Sequence, residues 1–72
     1  MKTYTHKPLA LARTKLGFTL DDVIRRLYAD HQIDISSKTI LNWETGATHP
    51  DADVLPKLAS VLKLKVADFY ET

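Results

Sequence analysis

The 72-residue sequence has no cysteine, only two glycines and three prolines, and no long apolar run. Without cysteine there is no disulfide to staple a small fold and no thiolate to build a zinc finger. The three histidines, His6, His31 and His49, stand far apart in the chain, so neither a metal site nor a cofactor is expected. The scarcity of glycine and proline excludes low-complexity linkers. No stretch approaches the length that spans a bilayer. Met1 to Pro8 is polar and lacks the apolar centre of a secretory signal. The expectation is a cytoplasmic chain with no membrane partner. Charge of one sign is lacking too. At a net charge of +1, bulk electrostatics say little about partners, so any charged ligand must be argued from where the charges sit.

What is present suits one small folded domain, expected to span residues 1–72. Hydrophobic residues make up 44% of the chain and charged ones 26%, a balance that excludes a disordered tail. Catalytic signatures are absent. There is no glycine-rich phosphate loop and no glycine-flanked serine, and so short a chain leaves little room for a deep cleft. The acidic pairs Asp21–Asp22 and Asp51/Asp53 read as helix starts, where carboxylates suit the helix dipole. The chain is not expected to be an enzyme.

Helical periodicity dominates, and no alternation marks a strand. A first helix is predicted to begin near Thr5 to Pro8, with Thr5 as cap and Pro8 in the first turn. Leu9, Ala12 and Leu16 would form its buried face, and Gly17 its stop. A second helix opens at Thr19, with Asp22 completing a capping box. Val23, Leu27 and Ile24 point inward, and Arg25 and Arg26 lie outside or on the flank. Tyr28 to Asp34 either lengthens this helix or forms a loop. Ser36 caps a third helix in which Ile40 and Trp43 share the inner face, and Gly46 ends it. Ala47 to Pro50 reads as a loop. Asp51 or Asp53 is expected to cap a fourth helix with an apolar stripe of Leu55, Leu58, Ala59 and Leu62, and Pro56 is tolerated in its first turn. A short fifth helix around Val66 to Tyr70 would anchor Phe69. The fold class is therefore all-α, a five-helix bundle with an extended turn or helix between the second and third helices.

The third helix carries the chemistry. Opposite Ile40 and Trp43 lie Ser37, Lys38, Leu41, Asn42 and Thr45, a face without the mixed Glu/Lys composition of an ordinary solvated helix. Lysine can read guanine or hold a phosphate, asparagine can pair with adenine, and leucine can touch a thymine methyl. The helix start offers free N–H groups to phosphate. These residues alone also fit a plain surface helix.

In its whole course, Ile35-Ser36-Ser37-Lys38-Thr39-Ile40-Leu41-Asn42-Trp43-Glu44-Thr45-Gly46 resembles the recognition helix of the lambdoid phage repressor and Cro-like helix-turn-helix family, which includes the xenobiotic-response-element-like regulators. Upstream, Arg13-Thr14-Lys15-Leu16-Gly17-Phe18-Thr19 resembles the family's first helix and the turn into its second. Downstream, Pro50 and Leu55-Pro56-Lys57-Leu58-Ala59-Ser60-Val61-Leu62 resemble its loop and fourth helix, and Val66 to Phe69 its fifth. The likeness runs from Leu9 to Phe69. It implies a DNA-binding transcriptional regulator, a repressor or control protein that binds double-stranded DNA as a homodimer with its third helix in the major groove. It implies base contacts from Ser37, Lys38 and Asn42, and phosphate contacts or capping from Ser36 and Thr45. It also implies an ion pair between Arg13 and Glu44 that orients the recognition helix, taken as roughly Ser37 to Trp43.

Three departures stand out. Tyr28 to Asp34 makes the connection between the second and third helices longer than the family's tight turn. Leu20, followed by two acids, stands where the family often has a phosphate-contacting glutamine. Lys63 and Lys65 replace the usual glycine and serine, which predicts a poorly capped last helix. These features, with the near-neutral charge, leave open a protein-binding module, antitoxin-like or an adaptor, that keeps the fold without DNA. Among other residues, Trp43 is read as core rather than as an interaction hot spot. Tyr28 and His31 are read as solvated, Thr48 and His49 as candidate phosphate contacts, and Val66 and Tyr70 as candidate dimer contacts.

Overall fold

The computed structural model describes residues 3–71; Met1, Lys2 and Thr72, which the single-domain expectation includes, lie outside the described residues. The order of elements is β1 (Thr3–Tyr4), α1 (Lys7–Lys15), α2 (Leu20–His31), α3 (Ser37–Thr45), α4 (Leu55–Val61), a 3-10 helix (Val66–Phe69) and β2 (Tyr70–Glu71). The fifth helix expected over Val66 to Tyr70 is thus a single 3-10 turn, and Tyr70 leaves it to enter a strand. β1 and β2 pair antiparallel, Thr3 with Glu71 and Tyr4 with Tyr70. Two-residue strands are too short to show alternation, which is why the sequence pattern did not mark them.

One core joins every helix. Leu9 comes from α1, Val23 and Leu27 from α2, Ile40 and Trp43 from α3, and Leu55, Leu58, Ala59 and Val61 from α4; Leu62 and Phe69 close it. Ala12 and Ile24 are half-buried against this cluster. Leu16, expected on the inner face of α1, is 36% exposed, because the helix ends at Lys15 and the chain has begun to turn away. Val61 is buried although the expected stripe of α4 omitted it.

The helix ends show which local signals carried. At α2, Thr19 Oγ1 accepts from the Asp22 N–H (3.1 Å) and Asp22 Oδ2 accepts from the Thr19 N–H (2.9 Å), a complete capping box. At α1, the cap position belongs to His6 and not Thr5. The Thr5 hydroxyl instead accepts from the Lys7 N–H at 3.3 Å. Gly17, at φ +75°, ends α1 in a Schellman turn in which the Phe18 N–H reaches the Arg13 carbonyl and the Gly17 N–H that of Thr14, both at 3.0 Å. Neither Asp51 nor Asp53 caps α4 with its carboxylate. A turn precedes the helix, and the Asp51 main-chain carbonyl accepts from the Val54 and Leu55 N–H groups.

Tyr28 to Asp34 resolves into both readings at once. α2 continues to His31, and the chain then runs without regular structure from Gln32 to Ser36. The change of direction falls on Gln32, at φ +55°, with the Ile33 N–H bonded to the Leu27 carbonyl. The end of α4 repeats the device with Lys63 at φ +60° and the Leu64 N–H on the Ala59 carbonyl. Beyond it, the expected capping defect is met from the other side. The Asp68 carboxylate accepts from the Lys65 N–H at 2.8 Å. A side chain with a Cβ in the left-handed region costs about 1–2 kcal/mol, and glycine avoids that at some cost in chain entropy. Gln32→Gly and Lys63→Gly are therefore each expected to stabilise the fold by about 0.5–1 kcal/mol, seen as a higher urea midpoint at unchanged slope. A lower midpoint in both would contradict the account.

Candidate functional site

α3 is short, and each end is fastened differently. At its start, Ser36 Oγ accepts from the Thr39 N–H at 3.2 Å and lies 3.0 Å from the Thr39 hydroxyl. The N–H groups of the first turn have no acceptor within the helix and form the positive end of its dipole. At its end, Gly46 turns the chain at φ +83°. The Glu44 carbonyl meets His6 Nδ1 at 2.9 Å; a carbonyl only accepts, so this contact places the proton on Nδ1. The Asn42 carbonyl accepts from the Thr45 hydroxyl and the Thr48 N–H, both at 3.3 Å.

Behind α3 stands an ion pair. Arg13 Nε donates to Glu44 Oε2 at 2.5 Å and Nη2 donates to Oε1 at 3.3 Å, while Nη1 donates to the Phe18 carbonyl at 2.8 Å. The side chains are 17% and 7% exposed. α1 is thereby tied to the last turn of α3 and to the turn into α2. Desolvation offsets much of the attraction, so the pair acts more on orientation than on net stability.

Glu44 is the only acid in α3, and its carboxylate is drawn back against Arg13. The outer face is left with Ser37, Lys38, Leu41 and Thr45 exposed and Asn42 half-exposed beside them. Among the described residues Lys38 has no ion-pair partner. Ile40 and Trp43 hold the helix from the inside, at 0% and 6% exposure, which settles Trp43 as core. Of the residues singled out from sequence, Ser36 has its hydroxyl engaged in the cap. Arg13 and Glu44 lie behind the helix, and the other five share its outer side.

The acids that open α2 are also satisfied locally. The backbone N–H and hydroxyl of Thr19 hold the Asp22 carboxyl below its ordinary pKa. Asp21 is paired with Arg25 one turn on, and Arg26 lies 4.3 Å from the centroid of the Phe18 ring. Tyr28 is exposed and His31 half-buried. His49 packs its ring on Tyr4 at 5.2 Å.

His6 and Tyr4 were not anticipated. His6 reaches α3 from 38 positions away, and nothing near it in sequence signals the contact. Tyr4 stacks on Phe69 at 6.2 Å and meets Tyr70 edge-on at 5.9 Å. Its hydroxyl is buried without a partner among the described residues, and burial, then the nearby Tyr70, raises its pKa.

Of the described helices, none is long and apolar enough to cross a membrane. A helix-turn-helix family model matches residues 9–69. No curated protein and no solved structure matches the chain.

Proposed function

The chain belongs to the lambdoid repressor and Cro-like helix-turn-helix family, whose members are DNA-binding regulators, and on that premise we propose that it is a sequence-specific transcriptional regulator that inserts α3 into the major groove. The reading has residues 1–72 act as one DNA-binding domain in the cytoplasm, as a repressor or control protein. It binds as a homodimer to a near-palindromic operator with half-sites about one helical turn apart.

One observation carries this reading. The sole carboxylate of α3 is turned inward onto Arg13, so the outward side offers Lys38, Asn42, Ser37 and Thr45 with no acid among them. A duplex meets donors and one free cation there. Lys38 and Asn42 are the base readers, Ser37 assists, and the N–H groups at the start of α3 hold phosphate. Ser36 and Thr45 serve mainly to fix the helix, since their hydroxyls are engaged internally.

Lys38→Ala and Asn42→Ala are expected to fold normally and to lose about 1–3 kcal/mol each in binding to a site selected from a random DNA pool. Gel-shift titration at one fixed salt concentration reads this directly. Unchanged affinity in both variants would overturn the assignment.

A second reading follows from the acidic start of α2, the Leu20 that precedes it and the net charge of +1. In it the fold serves as a protein-binding module and DNA is not its partner. Titration against mixed-sequence duplex separates the two. Steep weakening with salt supports DNA binding, whereas no complex at low salt supports the module.

A further inference from the structure

An α-helix turns about 100° per residue, so Leu41 lies about 100° from Ile40 and about 160° from Trp43, away from both side chains that anchor the inner face. By the same count Ser37 and Thr45 lie about 40° to either side of Leu41 and Lys38 about 60° away. The outward face thus carries an isobutyl group, 49% exposed, flanked by two hydroxyl residues and a lysine. The other leucine-type residue of this helix, Ile40, is completely buried. The bundle itself leaves Leu41 uncovered, and its polar surroundings offer it no apolar neighbour on α3.

Resting on the reading of α3 as the DNA-reading helix, we propose that Leu41 is a specificity-determining residue that recognises the C5-methyl group of a pyrimidine in the major groove, supplied in ordinary DNA by thymine. The major-groove edge of thymine carries that methyl as its apolar feature, and aliphatic side chains read it by contact. A polar base edge set against Leu41 would instead lose its water with no hydrogen bond in return. Each recognised half-site therefore holds a thymine, beside the bases that Lys38 and Asn42 address. The methyl of 5-methylcytosine projects into the same groove and is the second source of the same group.

The probe is the duplex that the wild-type chain selects from a random pool, remade with uracil in place of one thymine at a time. Uracil removes the methyl and keeps every hydrogen-bonding group. One replacement per half-site is expected to weaken wild-type binding about fourfold, the worth of one buried methyl. Replacement of the other thymines leaves affinity unchanged. Leu41→Ala, at an exposed position, keeps the wild-type thermal melt and binds the thymine and uracil duplexes equally. In a further pair of probes the sensitive position carries cytosine or 5-methylcytosine. Tighter binding of the methylated form by the same factor supports methyl recognition from either source, and equal binding confines it to thymine. If a site is selected but no uracil replacement matters, Leu41 has no such role while DNA reading by α3 stands. If no site is selected, both readings fall together.

Discussion

Glu44→Ala is expected to destabilise the fold by about 3–5 kcal/mol, the cost of leaving one member of a buried ion pair without its partner. The pair lies between α1 and the last turn of α3, with Glu44 7% and Arg13 17% exposed. Without the carboxylate, the Arg13 guanidinium keeps only its bond to the Phe18 carbonyl and must either stay charged in the wall or swing out. A domain of this size is held by a margin of about 4–11 kcal/mol, so a loss of this order is close to unfolding. Replacing both partners with apolar residues, Arg13→Met with Glu44→Leu, should cost far less than Glu44→Ala, because no orphan charge remains. Urea unfolding of the two variants measures the difference. A cost below about 1 kcal/mol for Glu44→Ala would mean that the guanidinium is already solvated and that the pair holds nothing in place.

The second large effect belongs to Gly46. A Cβ built there would come within 2.6 Å of the His6 ring, and the backbone sits at φ +83°. Gly17 supplies the control, at φ +75° with nothing within 4 Å of the same added atom. Gly17→Ala therefore meets only the left-handed penalty less the chain entropy that glycine costs, about 0.5–1 kcal/mol net. Gly46→Ala must also displace the ring and its bond to the Glu44 carbonyl, a further loss of about 1 kcal/mol or more. The expected total is about 1.5–4 kcal/mol. Removing the ring by His6→Ala should relieve the excess, so that Gly46→Ala in that background costs about what Gly17→Ala costs in the native chain. Additivity between His6→Ala and Gly46→Ala in a double-mutant cycle would show that the ring does not press on this turn.

Much of this was legible because helix ends write themselves locally. Thr19 with Asp22, Ser36, Gly17 and Gly46 each announce a terminus within a few residues, and Ile40 and Trp43 share a face by spacing alone. The outward set of α3 follows from the same periodicity. The Arg13 and Glu44 contact has no local signature and was reached only through the family resemblance. Other features were hidden for definite reasons. Gln32 and Lys63 carry no mark of a left-handed turn, since the sequence habit for such places is glycine. Asp51 and Asp53 have the right chemistry for a cap, but an intervening turn moves the helix start to Val54–Leu55. The pairing of Thr3–Tyr4 with Tyr70–Glu71 joins segments from opposite ends of the chain, and neither is long enough to show a period.

That pairing has a mechanical consequence. The Thr5 N–H, just past β1, donates to the Phe69 carbonyl at 2.7 Å, and one residue further on His6 holds the Glu44 carbonyl. Residues 3–6 thus form a strap clamped at one side to Phe69 and β2 and at the other to the tail of α3. Its closure joins segments with all four α-helices between them in sequence, so it carries a large loop entropy and is placed to engage late in folding and to slip early in local opening. Loosening of the β1–β2 pairing would then reach the tail of α3 without first disturbing the hydrophobic centre.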